Sequence, residues 1–170
     1  MPEQQQPAGA YGGGPAIPPK KLTIPEVVAM KGDRKKITMM TAYDVAFARL
    51  VDSAGIDVIL VGDSLGMVML GYSTTVPVTM DDMVRHAAAV SRGAKHAVLV
   101  GDMPFGSYQT GREEALRNAS RFLKESGMDA VKLEGGHEVV ETARALVENG
   151  IAVMGHVGLT PQRVAQFGGF

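Results

Sequence analysis

Along this chain, short apolar runs alternate with stretches of helical period. Five runs predict strands, at Lys36–Ala42, Ile56–Val61, Ala97–Gly101, Ala130–Leu133 and Ile151–Gly155. A run that is apolar on successive positions marks a strand covered on both faces. Between the runs the signals are those of helices. Thr23, with Glu26 three residues on, predicts a capped helix that stops at Gly32. Asp44 opens a helix that ends at Gly55, and Thr79 caps one that ends at Gly93 after a long loop through Gly66, Gly71 and Pro77. Thr110, with Glu113 at the capping-box position, opens the next, which ends at Gly127. A helix from His137 ends at Gly150, and Thr160 with Pro161 opens a last short one.

Five βα units in succession predict a wholly parallel α/β sheet with helices outside. Two architectures fit, an open doubly wound sheet and part of an eight-stranded barrel. The Gly12–Gly14 run has no strand before it and no helix directly after, so it is not read as a phosphate loop, and no strand–GxGxxG–helix pattern occurs. Candidate functional residues follow nearly every strand. A barrel mouth draws on many strands, whereas an open sheet concentrates its site at one switch point, and the barrel is favoured. A (β/α)8 TIM barrel takes roughly 250 residues and eight strands. The expectation is therefore the first five βα units of a truncated barrel, with residues 21–170 as the N-terminal portion of one domain. The Gln-, Gly- and Pro-rich residues 1–20 read as a disordered tail.

Composition narrows the function classes. A formal net charge of −1 gives no electrostatic footprint for nucleic acid or an anionic membrane. The absence of cysteine excludes disulfides and thiolate metal sites. No apolar stretch is long enough to span a bilayer, and no basic segment precedes an apolar core at the start. A cytoplasmic location is the default expectation.

The chemistry concentrates at strand ends. Asp63 closes IDVILVGDS, Asp102 closes AVLVGDMPF and Glu134 closes DAVKLEGG. In a parallel fold these ends converge on one mouth, and three carboxylates there repel one another unless a cation joins them. Each acid alone reads as a cap or turn residue; three at equivalent positions turn the reading toward a hard cation, Mg²⁺. Lys132 shares a strand face with Glu134 and is either its ion-pair partner or a receiver for a substrate carboxylate. Ser64 stands where an anion could meet its hydroxyl and amide, or is a turn serine. His156 ends the fifth strand as a mouth residue or a structural histidine, and Tyr43 is a candidate pocket wall beside an Asp44 cap. His86, His96 and His137 read as structural, and the GMVML segment as packing.

Six blocks, TAYD (Thr41–Asp44), VGDSLGM (Val61–Met67), TVPVT (Thr75–Thr79), DMPFGSY (Asp102–Tyr108), VKLEGG (Val131–Gly136) and GHVGLTPQ (Gly155–Gln162), resemble the ketopantoate hydroxymethyltransferase family. The resemblance runs from Lys21 to the last residue. It implies a barrel of the phosphoenolpyruvate/pyruvate type. It implies a transferase moving a hydroxymethyl group from 5,10-methylenetetrahydrofolate to 3-methyl-2-oxobutanoate, giving 2-dehydropantoate on the route to pantothenate and coenzyme A. It implies Mg²⁺ held by Asp63, Asp102 and Glu134, the last directly or through water, and a 2-oxo acid contacted by Asp63, Ser64, Asp102 and Lys132. His156 matches a pocket histidine. The family's general-base glutamate is expected beyond Phe170, and a homo-oligomer, a decamer, is expected. The alternatives are a Mg²⁺-dependent lyase or mutase of the same barrel superfamily acting on another 2-oxo acid, and an inactive fragment lacking the base.

Overall fold

The computed structural model describes residues 20–169. The tail expected over residues 1–20 lies outside them apart from Lys20. Helix α1 (Ile24–Gly32) precedes β1 (Met39–Thr41), α2 (Val45–Ser53), β2 (Val58–Val61), α3 (Leu65–Val68) and α4 (Met80–Gly93). Strand β3 (Val98–Asp102), α5 (Arg112–Ser126), β4 (Ala130–Glu134), α6 (His137–Glu148) and β5 (Ala152–His156) follow. A 3-10 turn (Pro161–Arg163) leads into α7 (Val164–Phe167). Among the described residues no helix is long and apolar enough to cross a membrane.

The strands form one parallel sheet in the order β1-β2-β3-β4-β5. A doubly wound sheet reverses its strand order at a switch point; this sheet never does, so it is an arc of a barrel. Strands β2, β3 and β4 are buried throughout. On β1 the neighbouring Met39 and Met40 point to opposite faces, yet are 51% and 47% exposed, so this strand is uncovered on both sides.

Alternation sorts the side chains into two layers. Ile59, Val61, Leu99, Val131 and Leu133 pack with the helices in the larger cluster, together with Met83, Phe122 and Leu146. Gly101 belongs to this face for a steric reason: a Cβ there would stand 2.4 Å from the Phe122 ring, so glycine lets α5 close on β3. Val58, Leu60, Val98, Val100 and Ala130 form the inner layer, against which Leu22, Ile24 and Val27 from the α1 segment pack. Leu22 N–H donates to the His96 carbonyl at 2.8 Å, fixing that segment across the amino ends of the strands. Continued upward, the inner face ends in Asp102, Lys132, Glu134 and His156.

The amino ends are stitched by acids. Asp52 of α2 accepts N–H groups of Lys95, His96 and Ala97 ahead of β3, at 2.8–3.2 Å. Asp57 accepts both the amide and the hydroxyl of Thr38, and Asp129 accepts Leu99 N–H at 2.8 Å.

The expected elements are present with local differences. Thr23 with Glu26 forms its capping box, Thr79 forms one with Asp82, and Asp44 caps α2. Helix α5 is capped not by Thr110 but by Gly111 at φ 151°, so no capping box with Glu113 forms. Strand β1 begins at Met39 rather than Lys36, since pairing with β2 starts at Met39–Val58. The loop after β2 contains the one-turn helix α3, and its Met67, Val68 and Met69 are exposed rather than packed.

Candidate active site

The carboxyl ends of β2 to β5 surround a cavity of about 620 Å³. Its polar wall carries Asp63, Ser64, Asp102, Lys132, Glu134 and His156, which are the six side chains expected from the sequence. Leu60, Met67, Met154 and Val157 supply an apolar wall. A few convergent polar groups in an apolar concavity is the usual form of a small-molecule site.

Register explains the gathering. Asp102 pairs with Lys132 across β3 and β4, and Glu134 with His156 across β4 and β5. Asp63 lies one residue past Gly62, where the chain turns into α3, and its N–H donates to Asp102 Oδ2 at 3.2 Å. Lys132 Nζ stands 2.7 Å from Asp102 Oδ1 and 4.0 Å from Glu134 Oε2. His156 Nδ1 lies 3.5 Å from Lys132 Nζ and 3.4 Å from Glu134 Oε2, and its tautomer decides whether it accepts from the ammonium or donates to the carboxylate. Ser64 Oγ is 2.9 Å from the Tyr43 hydroxyl, so Tyr43 holds the serine from behind. His86 Nδ1 and His96 Nδ1 bond the carbonyls of Tyr43 and Lys20, both structural roles.

Three buried carboxylates are accompanied by one buried ammonium, which contacts Asp102 and Glu134, so the charge does not balance. Burial, and then the neighbouring Asp63 charge, push Asp102 up to about 7 against the opposing pull of Lys132. Burial also raises Glu134, opposed by the N–H of Gln162 and by Lys132. Asp102 Oδ1 is fully buried and takes no aligned hydrogen bond, its close cation being Lys132. A surplus of hard oxygen donors over cations suits a small divalent cation, which binds through one or two carboxylates and keeps waters. Among the described residues no group of three or more His, Asp or Glu side chains stands close enough together to hold an ion. Asp63 and Asp102 are joined directly by the Asp63 N–H, while Glu134 accepts the Gln162 N–H on Oε1 and faces Lys132 and His156 with Oε2.

Two residues without an expected role complete the site. Gln162, in the 3-10 turn after β5, donates from Nε2 to Asp63 Oδ2 at 2.9 Å and from its backbone N–H to Glu134 Oε1 at 2.7 Å. The Tyr108 hydroxyl lies 2.8 Å from Gln162 Oε1. Both belong to blocks quoted above, DMPFGSY and GHVGLTPQ, which was the available signal. Thr75 is a further buried side chain on this wall, and its hydroxyl has no hydrogen-bond partner among the described residues.

Residues 21–170 match the sequence profile of the ketopantoate hydroxymethyltransferase family. A 3-methyl-2-oxobutanoate hydroxymethyltransferase of Heliobacterium modesticaldum is 60% identical over 151 residues, 89% of this chain and 55% of the relative. One of Desulfotalea psychrophila is 60% identical over 150 residues, 88% of this chain and 54% of the relative. The chain thus spans about half the length of the curated relatives it matches. Among solved structures, a phosphonopyruvate hydrolase in complex with oxalate and Mg²⁺ superposes with a TM-score of 0.57 at 15% identity, covering 86% of this chain and 68% of that one. A 2,3-dimethylmalate lyase of the PEP mutase/isocitrate lyase superfamily gives 0.56 at 18%, covering 76% and 51%. These likenesses establish the shared barrel-type fold.

Proposed function

The chain belongs to the ketopantoate hydroxymethyltransferase family, and from that premise we propose that it carries the metal and oxo-acid site of an enzyme making 2-dehydropantoate. The hydroxymethyl group comes from 5,10-methylenetetrahydrofolate and the acceptor is 3-methyl-2-oxobutanoate. The observation that supports this reading best is the buried surplus of carboxylates around Lys132 at the carboxyl ends of the strands.

Asp63 and Asp102 would hold Mg²⁺, with Glu134 reaching it through water. A bound Mg²⁺ supplies Lewis acidity toward a 2-oxo group, which favours removal of the neighbouring C3 proton. Lys132, freed from part of its pairing with Asp102, offsets the substrate carboxylate and holds it in register. Ser64, steadied by Tyr43, offers its hydroxyl to the same anion. The apolar wall of Leu60 and Met154 takes the branched end of the acid. His156, a third exposed, stands at the rim beside Glu134. No general base is assigned among the described residues. A cytoplasmic homo-oligomer is part of the same proposal.

A lyase or mutase role is not favoured, since the 60% identical relatives are hydroxymethyltransferases and the lyase likeness is of fold alone. The test is solvent exchange of tritium at C3 of 3-methyl-2-oxobutanoate, with Mg²⁺, followed by addition of 5,10-methylenetetrahydrofolate. Exchange with folate-dependent product supports the proposal. Product formation that ignores folate contradicts it. Complete absence of both assigns the chain to the inactive-fragment alternative.

A further inference from the structure

Two of the three site acids converge on Gln162. A glutamine in a turn after a strand usually faces solvent, yet this one is 4% exposed. Its side-chain amide is occupied on both sides. Nε2 donates to Asp63 Oδ2 at 2.9 Å and to the Met103 carbonyl at 3.0 Å. Oε1 faces the Tyr108 hydroxyl at 2.8 Å and Gln109 Nε2 at 3.3 Å. Exchanging nitrogen and oxygen would set the amide oxygen against a carboxylate and a carbonyl, so the neighbours themselves fix the orientation.

Tyr108 anchors this arrangement to β4. Its hydroxyl is 2.9 Å from the Glu134 carbonyl and accepts the Glu134 N–H at 3.3 Å, so its single proton goes either to that carbonyl or to Gln162 Oε1. A buried chain of hydrogen bonds thus runs from the β4 backbone through Tyr108 and Gln162 to Asp63. Its consequence is an asymmetry between oxygens. Asp63 Oδ2 is tied by Gln162, and among the described residues no hydrogen bond reaches Oδ1. Asp102 Oδ2 takes the Asp63 N–H, and Oδ1 faces the Lys132 ammonium at 2.7 Å. Asp63 therefore has one oxygen fixed by a neutral amide and one that receives no hydrogen bond among the described residues, whereas both oxygens of Asp102 face protein donors.

We propose that Gln162 is a positioning residue for divalent-cation binding: it fixes Asp63 with one oxygen free, while its backbone N–H holds Glu134 back. The inference rests on the metal reading above and assigns a residue that acts through Asp63 without contacting the ion. A purely structural cross-link would lower stability without changing the affinity of the folded protein. The test is therefore Mn²⁺ titration followed by electron paramagnetic resonance of the free ion, well below the melting temperature, with melting in chelator measured alongside. Gln162→Met keeps the side-chain length and removes the amide; it is expected to weaken Mn²⁺ binding by about 10-fold or more, the usual effect of losing a partner behind a metal ligand. Tyr108→Phe leaves Gln162 in place but removes its anchor, and is expected to cost about 3-fold.

Asp63→Asn separates the two levels of the claim. Wild type that binds and Asp63→Asn that does not, with Gln162→Met folded and as tight as wild type, overturns the positioning role alone. If Gln162→Met does not fold, Tyr108→Phe decides in the same way, an unchanged affinity overturning the role. Wild type that binds no Mn²⁺ overturns the metal reading and this inference together.

Discussion

Asp52, Asp57 and Asp129 lie at the amino ends of the strands, and Asp63, Asp102 and Glu134 at the carboxyl ends of the same sheet. The first three are spent mainly on backbone donors: Asp52 alone accepts three consecutive N–H groups, Asp57 takes an amide and a hydroxyl, and Asp129 takes the Leu99 N–H beside Lys21. Of the second three, Asp102 and Glu134 share one ammonium and Asp63 has the Gln162 amide, and Asp102 is pushed up to about 7 by burial and by Asp63. The residue types are alike and the burial overlaps. The difference is what the backbone offers. Amides of the connections ahead of β1 and β3 point at the lower acids, so those acids hold the sheet together. At the upper end few backbone donors reach the acids, so negative charge accumulates, a cost that a bound cation would relieve. In barrels of this kind stability resides at the lower face and chemistry at the upper.

The sharpest way to break this comparison is the same one-atom change at both ends. Asp102→Asn is expected to lower Mg²⁺-dependent turnover of an active preparation by about 10²-fold or more. Its stability in chelator should stay within about 1 kcal/mol of wild type, because the charge removed was poorly tolerated. Asp52→Asn is expected to do the reverse. It turns an amide toward backbone N–H groups that need an acceptor, costing about 2–3 kcal/mol in urea unfolding, with Mn²⁺ affinity of the folded chain unchanged. Equal stability losses at both ends would remove the distinction.

The next effect is on pH. Folding favours the protonated form of Asp102, whose folded value near 7 exceeds the ordinary 3.8. In the metal-free protein this contribution to stability is full below about 3.8 and is lost as pH rises through about 7. A cation needs the carboxylate, so Mg²⁺ affinity is expected to rise about tenfold per pH unit up to about 7 and then level off. Calorimetric titrations at about pH 6 and about pH 8 check the slope. A flat profile would mean that Asp102 is already ionised and compensated.

The smallest effect belongs to Asp57→Asn. Its partner Thr38 is exposed, so the loss should be about 1 kcal/mol by urea unfolding, less than at buried Asp52. A cost as large as that of Asp52→Asn would show that burial does not set the scale among the lower acids.

Much of the site could be read from the sequence because it depends on local signals. Buried strands are apolar on successive positions, so an acid closing such a run marks a strand end, and the β3–β4–β5 register then brings Asp102, Lys132, Glu134 and His156 together. Asp52 carries no such mark: it lies in the last turn of α2, and its partners come from a connection more than forty residues away. Gln162, beyond its place in the GHVGLTPQ block, showed no role for a similar reason. A neutral residue in a turn shows no pattern, and its role arises only when the turn folds over Asp63 and Tyr108. The misplaced cap of α5 reflects backbone geometry, since Gly111 adopts a φ that Thr110 would resist.

The central claim is that Asp63 and Asp102 share a divalent ion. Crystals of the protein soaked in Mn²⁺ and measured at the manganese absorption edge test it most directly. The account predicts one strong anomalous peak within roughly 2.0–2.3 Å of an oxygen from each aspartate, with Gln162 still bonded to Asp63. No peak at the carboxyl ends of the strands, or one that touches neither aspartate, would contradict it.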